Sequence, residues 1–427
     1  MSRRDELLLH AGGEAVRVYG TVYRKTARGE DNGYTHSRSS VAQFTGTTVI
    51  RTAASGVPRI EWLDTDSDGV RETPALLLEG ARTNFVTDSA VEDATWSGTT
   101  GNRTINQTSP TGALDAVLLT DGSTSAFREL THALTTSTGT PRIVSAYVKR
   151  SSTGARPEIK LSGSTAAVSR GAAKVTWGST GGISSISYSG GAAAITGSSV
   201  GENAGDGWWR VPFKASTSLV AGNGHELQLF PDALSQAATG ASYFWHPQIE
   251  VGAFHSSPIA TTTGSETRAA DTFYLPFTYP PQAMTIYAKW RENGTAQLAN
   301  FTRVWHIGSS GNTDARMWVG ANGSGKYDTF WDPGTAVSST PTTEPVFGDT
   351  VEYRTVLSAS GTVQGHISVN AATEVSGAES AAQALPVTFS AERFYINSVG
   401  TANSGLLAVL DIKISRGVKT LAQMRAL

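Results

Sequence analysis

The stretch that decides the fold is ASYFWHPQIEVGAFHSSPIATTTGSETRAAD, residues 241–271. It begins as an apolar strand with three adjacent aromatic residues at 243–245, and the strand runs on through a proline into Gln248-Ile249-Glu250. A segment rich in Gly, Ser and Thr follows, and residues 267–271 then lead into new strands. Aromatic and β-branched residues favour strands, whereas Gly and Ser favour turns. We therefore interpret the stretch as the closing strand of one β-sandwich and the linker to the next, with nothing that suggests an active site.

Composition predicts the same all-β fold for the whole chain. Only 16% of the 427 residues are charged, against about 25% in a typical soluble domain. Glycine accounts for 45 residues, above the usual share of about 7%. Ser, Thr and Gly fill the gaps between apolar runs, which is typical of many short strands joined by turns. The length allows two or three domains with their own cores.

Charge, hydropathy and cysteine content exclude several classes of protein. A net charge of −2 offers no electrostatic basis for binding nucleic acid or an anionic membrane. No apolar run approaches the roughly 18 residues of a membrane span, and the N-terminus does not resemble a secretory signal. The absence of cysteine rules out disulfides, thiolate metal sites and a cysteine nucleophile. These features fit a protein made in a reducing cytoplasm, including one that later works outside the cell.

Four segments follow from the pattern along the chain. Residues 1–40 lack the apolar residues of an independent core and are expected to form an arm that docks on something else. Residues 41–84 predict a lead-in hairpin with a long acidic turn. Residues 85–271 predict a jelly-roll-like sandwich, and residues 272–427 a second sandwich. The last ten residues, from Val418, have apolar side chains three apart and predict a short terminal helix.

Individual strands can be placed by β-branched and aromatic runs bounded by turn residues. In the first sandwich they are 116–120, 127–130, 142–149, 158–161, 174–177, 183–188, 208–215, 226–230 and 242–251. In the second they are 285–290, 304–307, 315–319, 327–331, 352–357, 363–369, 393–397 and 406–414.

The acidic turn DTDSDG, residues 64–69, matches the first half of a calcium-binding loop. Alternate carboxylates converge on one cation, and the glycine permits the sharp turn. The twelfth position, which should be a bidentate Glu, is Ala75, so a helix-flanked loop is not expected. The alternative is a solvated acidic hairpin tip. The calcium ligands that this pattern predicts are Asp64, Asp66, Asp68 and Glu72.

Ten tryptophans in a chain with few charges raise the question of sugar binding. An exposed aromatic ring can stack on the apolar face of a pyranose, but sandwiches also need large core residues. Trp208 and Trp209 are adjacent, so in a strand one faces the core and the other faces outward. Trp331 directly precedes a turn, where binding loops are common. The glycan-binding candidates are therefore Trp208, Trp209 and Trp331, and core packing is the competing explanation for each.

No group of residues predicts catalysis. The eight histidines are scattered, and no H-E-x-x-H, G-x-S-x-G or P-loop motif is present. A glycosidase needs two carboxylates about 5–10 Å apart, which sequence spacing cannot show in an all-β fold. We expect no catalytic residue and no enzymatic activity. The carboxylates that are candidates by residue type alone are Glu158, Glu226, Asp232, Glu250 and Glu352.

Several motifs, in matching order, resemble a β-sandwich module found in the tail and head appendages of bacteriophages. The match covers about residues 41–271, and Trp209 stands where tyrosine is more usual. Residues 272–427 resemble a concanavalin A-like, laminin-G-type sandwich, which is a vaguer match. The motifs are PRIE at 58–61, ALLLEGARTN at 75–84, SAYVK at 145–149, GDGWWRV at 205–211 and QIEVG at 248–252.

The resemblance implies a structural protein of the virion, made in the host cytoplasm. It would be a surface-exposed tail fibre, spike or head fibre with host-glycan adhesion, and a homo-oligomer, with a trimer favoured. The arm at residues 1–40 would bind other capsid or tail proteins, and its removal is expected to leave folded sandwiches that no longer join particles. The alternatives are a purely structural capsid-decoration protein without a ligand and a polysaccharide-degrading tail enzyme.

Overall fold

Strands make up almost all the regular structure in the described part of the chain, so the all-β fold is confirmed. The computed structural model describes the 427 residues apart from those in a set of short segments. These segments are 1–5, 11–14, 19–20, 25–34, 41, 46–49, 56, 58, 64–72, 93–94, 99–102, 135–141, 164–168, 195–200, 216–224, 236–238, 253–254, 278–282, 293–301, 309–314, 323, 332–336, 347, 384–391, 397–405, 417 and 427.

The strands fall into three groups along the chain. The first group is β1 (Glu6–His10), β2 (Ala15–Val18), β3 (Thr21–Arg24), β4 (Thr35–Ser37), β5 (Ala42–Thr45), β6 (Ile50–Ala53), β7 (Arg59–Leu63) and β8 (Thr73–Glu79). The second is β9 (Arg82–Asn84), β10 (Trp96–Gly98), β11 (Arg103–Thr108), β12 (Leu114–Asp121), β13 (Leu130–Leu134), β14 (Arg142–Arg150), β15 (Glu158–Gly163), β16 (Ser169–Trp177), β17 (Ile183–Ser189), β18 (Glu202–Gly205), β19 (Trp208–Lys214), β20 (His225–Phe230), β21 (Gly240–Val251) and β22 (Glu266–Arg268). The third is β23 (Thr272–Phe277), β24 (Met284–Glu292), β25 (Thr302–Gly308), β26 (Ala315–Ala321), β27 (Tyr327–Trp331), β28 (Val337–Ser339), β29 (Thr350–Leu357), β30 (Val363–Val369), β31 (Val375–Ser376), β32 (Glu392–Ile396) and β33 (Leu406–Arg416).

The first sandwich consists of two antiparallel sheets of six strands each. The front sheet has the order β11-β12-β21-β14-β19-β18, and the back sheet has the order β10-β13-β20-β15-β16-β17. The strand β21, predicted as the closing strand, lies in the middle of the front sheet between β12 and β14. Side chains from both sheets, such as Val144, Phe244 and Leu227, pack between them as one core. Burial of these alternating apolar residues is what holds the two sheets together.

The second sandwich pairs a ten-stranded sheet with a seven-stranded sheet. The ten-stranded sheet has the order β3-β2-β1-β33-β24-β29-β30-β31. In addition, β8 pairs with β33, and β7 pairs with β8. The seven-stranded sheet has the order β28-β27-β26-β25-β32-β23-β4. Trp290, Trp305 and Trp331 are completely buried in the core between the two sheets.

The N-terminal strands belong to the second sandwich of the same chain, whereas the sequence predicted an arm that docks on something else. Residues 6–10 form β1 and pair with residues 411–415 of β33, and β4 pairs with β23 in the opposite sheet. The lead-in hairpin β7–β8 forms as expected, and it too pairs with β33. Composition suggested an arm because these strands cannot form a core alone. They complete a core that lies far away in the sequence.

A β-bulge explains how one edge of β33 can hold two different partners. The pairing with β24 shifts register between Lys289 and Trp290, which leaves Leu410 without a partner on that strand. On the other edge of β33, β8 pairs before this point and β1 pairs after it. A bulge bends a strand and increases its twist. The β7–β8 hairpin and the β1–β3 meander, which both attach to this edge, can therefore leave the sheet in different directions.

The hairpin of β5 and β6 covers the face of the front sheet that points away from the first core. Ile50 of β6 packs against Tyr147, Trp208 and Trp245 on that face. The backbone N–H of Ile50 also donates to the carbonyl of Pro110 at 3.0 Å. The front sheet is thus buried on both faces where this hairpin lies, which suits a chain with so few charges.

The predicted terminal helix is confirmed as α1, Leu421–Arg425. Thr420 and Gln423 form a capping box, in which each side chain accepts a hydrogen bond from the other residue's backbone N–H. Met424 is completely buried, and Arg425 forms an ion pair with Glu352 of the ten-stranded sheet. The helix therefore closes the chain against this sheet.

Removing residues 1–40 should destabilise the protein instead of releasing intact sandwiches. The truncation would leave the edges of β33 and β23 unpaired and would take Arg38 from its buried carboxylate partner, Asp271. Unpaired sheet edges also promote aggregation. We expect a lower urea midpoint and more aggregation for the truncated protein, measured beside a control that lacks only residues 1–5. Equal midpoints for the two truncations would show that these strands add no stability.

Candidate functional site

Five charged side chains lie buried together where the two sandwiches meet. They come from segments far apart in the chain, and none is more than 3% exposed. A charge in such a position is costly unless it is paired and hydrogen-bonded. The five residues are Arg38, Arg59, Glu79, Arg268 and Asp271, and we call them the junction cluster.

Each carboxylate of the junction cluster has two guanidinium partners. Arg59 binds both Glu79 and Asp271. Arg268 Nη1 lies 3.0 Å from Glu79 Oε2, and Arg38 Nη1 lies 3.0 Å from Asp271 Oδ1. The backbone N–H of Glu79 also donates to Asp271 at 2.9 Å. The three cations and two anions therefore form one continuous network.

The cluster keeps Glu79 ionised despite its burial. Burial alone would raise the pKa of this carboxyl. The positive charges of Arg268 and Arg59, with hydrogen bonds from Ser257, outweigh that effect and lower the pKa of Glu79 to about 2. Glu79 is therefore ionised at neutral pH.

Hydrogen bonds from uncharged residues extend the junction cluster into the first sandwich. The backbone N–H of Ser257 donates to Glu79 Oε1 at 2.7 Å. Asn84 accepts from the backbone N–H of Ile249 at 3.1 Å and donates to the carbonyl of Ile259 at 3.0 Å. Gln248 Oε1 accepts from the backbone N–H of Ile259 at 2.8 Å. The ALLLEGARTN and QIEVG motifs therefore meet here and tie the linker to both sandwiches.

Two of the three tryptophans proposed for sugar binding are completely buried, which corrects that prediction. Trp331 lies in the core of the second sandwich, so its position before a turn does not expose it. Trp208 lies under the β5–β6 hairpin on the outward face of the front sheet. Trp209 points the opposite way and packs, half-buried, against the first core. Alternation along the strand is as expected, but a covering hairpin decides which ring is accessible.

The acidic turn with Asp64, Asp66, Asp68 and Glu72 lies outside the described residues, so calcium binding there stays a prediction. Among the residues that the structure does describe, no group of three or more His, Asp or Glu side chains is arranged to hold a metal ion. Within the same residues, no helix is both long and apolar enough to cross a membrane.

Three of the carboxylates considered for glycoside hydrolysis are engaged in structural contacts. Glu250 is buried and accepts from the backbone N–H of Ser256 at 2.9 Å. Asp232 accepts from the backbone N–H of Leu234 at 3.0 Å. Glu352 accepts from the phenol of Tyr287 at 2.8 Å and pairs with Arg425. Glu158 and Glu226 are half-buried on β15 and β20 of the back sheet, and Glu158 Oε2 lies 3.4 Å from Lys174 Nζ.

A row of aromatic rings crosses the outward face of the seven-stranded sheet. The rings of His306 and Tyr395 stack 4.5 Å apart, and those of Trp318 and Phe330 stack 4.6 Å apart. The guanidinium of Arg303 lies 5.0 Å from the ring of Trp318. Sequence analysis missed this row because its members are cross-strand neighbours on five separate strands. In order across the sheet they are Tyr274, Tyr395, His306, Trp318 and Phe330.

Comparison with known proteins supplies no family. No family model matches the sequence, and no curated protein matches it. Among solved structures, the LG1–3 region of the laminin alpha2 chain aligns with 69% of this chain at 11% identity and a TM-score of 0.26. The alignment spans 66% of that laminin chain, slightly under two thirds of its length. Domains LG4–5 of the mouse laminin alpha1 chain align with 69% of this chain and 86% of that one, at 11% identity and a TM-score of 0.22.

These solved structures are of the laminin-G type that the second half of the sequence resembles. With TM-scores this low, the likeness carries no argument about activity or ligand. The assignment of two antiparallel sandwiches rests on the strand pairing of the chain itself.

Replacing Asp271 with Asn should destabilise the protein strongly. The change leaves Arg38 and Arg59 buried with one carboxylate fewer, and breaking a buried ion pair costs about 3–5 kcal/mol. Urea unfolding followed by circular dichroism measures the loss. The matched control is Asp206→Asn, whose carboxylate is 68% exposed beside Lys149 and should shift the midpoint little. Equal midpoints for the two variants would show that the junction cluster does not stabilise the fold.

The protein should also lose stability as the pH falls from about 6.5 towards 3. His246 and His306 are buried, and neither ring has a hydrogen-bond partner among the described residues. Burial, helped by Arg210 and by Arg303 respectively, lowers the pKa of each to about 3. Below pH 6.5 the unfolded chain therefore binds protons that the folded chain does not, which favours unfolding.

At pH 5 this effect should cost roughly 2 kcal/mol for each of the two histidines relative to pH 7.5. Urea midpoints at the two pH values measure it. His306→Phe keeps a ring beside Tyr395 and should remove the roughly 2 kcal/mol that His306 contributes to the difference. Identical midpoints at pH 7.5 and 5 in the unmodified protein would contradict the account.

Proposed function

We propose that this chain is a structural protein of a bacteriophage particle, displayed as a surface appendage with host-glycan adhesion. The phage part rests on the sequence motifs. The observation that supports a structural role is the position of those motifs. Their residues Glu79, Asn84 and Gln248 are buried, and they hold the linker between the sandwiches. The motif residues therefore stabilise the arrangement of the two sandwiches, as is expected of a structural protein.

Adhesion is supported by aromatic side chains that remain partly accessible. Trp209, Trp318 and Phe330 are half-buried, so part of each ring remains accessible. Rings of this kind can bind the apolar face of a sugar, and passive binding of this sort needs no catalytic pair. Tail fibres, spikes and head fibres are commonly trimeric, so a homotrimer is part of the proposal.

Attachment to other virion proteins would take a different form from the one that the sequence suggested. The strands β1, β2 and β3 are already paired within the chain, and β3 forms the outer edge of that meander. An edge strand offers unpaired backbone groups to a neighbouring chain. The proposed contact with capsid or tail proteins is therefore this edge.

Labelling of intact particles tests the proposal against its two alternatives. Antibodies raised against the purified chain should decorate particles made from the genome that encodes it, and the purified chain should bind a subset of a glycan array. Particle labelling without glycan binding would favour a decoration protein. Release of reducing ends from host polysaccharide would favour a degrading enzyme. Absence of the chain from particles would overturn the proposal.

A further inference from the structure

The β5–β6 hairpin covers only part of the outward face of the front sheet, and a tyrosine at the border of the covered part stays accessible. Ile50 of the hairpin packs on three aromatic residues that are at most 3% exposed, namely Tyr147, Trp208 and Trp245. Tyr243 lies on the same face and packs against this group, but it is only half-buried. Its ring and that of Trp208 have centroids 6.3 Å apart and planes inclined at 60°. Tyr243 therefore lies where the covered part of the sheet ends.

The surface beside Tyr243, on the side opposite Trp245, carries small side chains. Phe244 and Leu119 point into the first core, so alternation along β21 and β12 turns Ala241 and Thr120 outward. These two residues are direct partners across the strands, and Thr120 is exposed while Ala241 is half-buried. A ligand on this surface would therefore meet an aromatic ring on one side and small side chains beneath it.

The polar groups around Tyr243 are accessible to solvent. The phenol of Tyr243 forms no hydrogen bond with the described residues, and its oxygen is not shielded from solvent. Lys149, its direct partner on β14, has a side chain that is 31% exposed, and the side chain of Asp206 is 68% exposed. Lys149 Nζ and Asp206 Oδ2 are 3.4 Å apart. An exposed ion pair of this kind adds little stability, so both charged groups remain available to bind a ligand.

The turn that carries Asp206 holds this carboxylate at a defined place. Asp206 and Gly207 connect β18 to β19, and their φ angles are +50° and +76°. Positive φ at both central residues is what a type I′ hairpin turn requires, and this turn matches the twist of the strands that it joins. The side chain of Lys149 lies beside the same turn, since a Cβ on Gly207 would be 3.6 Å from its Cε. The turn and the ion pair thus place both charged groups on the side of Tyr243 that faces β14.

We propose that this surface binds one ring of a neutral sugar, which deepens the adhesive part of the proposed function and rests on it. We call the surface the Tyr243 patch, and its members are Thr120, Lys149, Asp206, Ala241 and Tyr243. The C–H face of the sugar would pack on the ring of Tyr243, above the small side chains. One sugar hydroxyl would donate to the carboxylate of Asp206, and another would accept from the ammonium of Lys149.

The charges of the Tyr243 patch favour a neutral sugar over an acidic one. The carboxylate of Asp206 compensates the ammonium of Lys149, so the pair offers no net positive charge to a uronic acid. The hydroxyls of a neutral sugar can both donate and accept, and they can therefore bond to both members of the pair.

The alternative is that Tyr243 only completes the packing beside Trp208, and that the ion pair is a surface contact without a ligand. Tyr243→Ala removes packing under either explanation, so its stability does not separate them. Thr120→Trp does separate them. It places a large ring on the patch at an exposed strand position, where aromatic residues are favoured, and it removes no contact with the core.

The experiment compares the unmodified full chain with Tyr243→Ala, Asp206→Asn and Thr120→Trp. The matched control is Ser185→Trp, which adds the same ring at an exposed position of β17 in the back sheet. Urea unfolding shows that each variant is folded, and Asp206→Asn and Thr120→Trp alter only exposed side chains. Binding is measured by saturation-transfer NMR with the methyl glycosides of glucose, galactose, mannose, N-acetylglucosamine and glucuronic acid, and on a glycan array.

We expect at least one neutral methyl glycoside to bind the unmodified chain, and the glucuronide to bind more weakly. Tyr243→Ala and Thr120→Trp should abolish the binding of the neutral glycoside, because the first removes the ring and the second occupies its place. Asp206→Asn should weaken this binding at least about tenfold, since the charged acceptor is lost. Ser185→Trp should bind as the unmodified chain does.

Three results would contradict the inference. Binding of neutral sugar that survives both Tyr243→Ala and Thr120→Trp would overturn the patch and leave adhesion at another surface. Tighter binding of the glucuronide than of every neutral glycoside would overturn the assignment of a neutral ligand. No binding of any glycoside or array glycan by the unmodified chain would remove both the patch and the adhesive function, and particle labelling would then decide the structural role by itself.

Discussion

The structure depends on one buried guanidinium, that of Arg59, which binds Glu79 and Asp271 at once. Glu79 ends the lead-in hairpin, and Asp271 directly precedes β23 of the second sandwich. The first sandwich lies between these two residues in the chain, so this contact holds its two ends close together. Arg38 and Arg268 complete the compensation of charge. A buried pair of this kind adds little net stability over apolar packing, but it is strongly disfavoured when incomplete. Arrangements of the linker that separate these charged residues are therefore destabilised relative to the one observed.

A second constraint is that several sheets are covered on both faces. The front sheet has the first core on one side and the β5–β6 hairpin on the other, so the adjacent Trp208 and Trp209 both pack against protein from opposite faces. The ten-stranded sheet carries the terminal helix on its outward face. Covering both faces of a sheet removes sites for charged side chains. The low charge content of the chain agrees with this layering.

The small number of unpaired charged groups also bears on function. His246 and His306 are held neutral at pH 7 by their lowered pKa values, and the buried carboxylates of Glu79 and Glu250 are paired with arginine or with hydroxyl and backbone donors. Such surfaces suit weak, passive recognition of neutral ligands better than acid–base chemistry, which needs titratable groups held near a reacting atom.

Local pattern determined most of the strands, because alternation and turn residues act over a few neighbours. The strands around 142–150, 284–292 and 406–416 and the capped terminal helix follow directly from the sequence. Tertiary structure alone decided what those strands cover. Arg38 meets Asp271 across 233 residues, and the N-terminal strands complete a sheet formed near the C-terminus. Trp331 is buried although the sequence after it predicts a turn. Such partners are chosen by burial and charge compensation between distant segments, which no local pattern encodes.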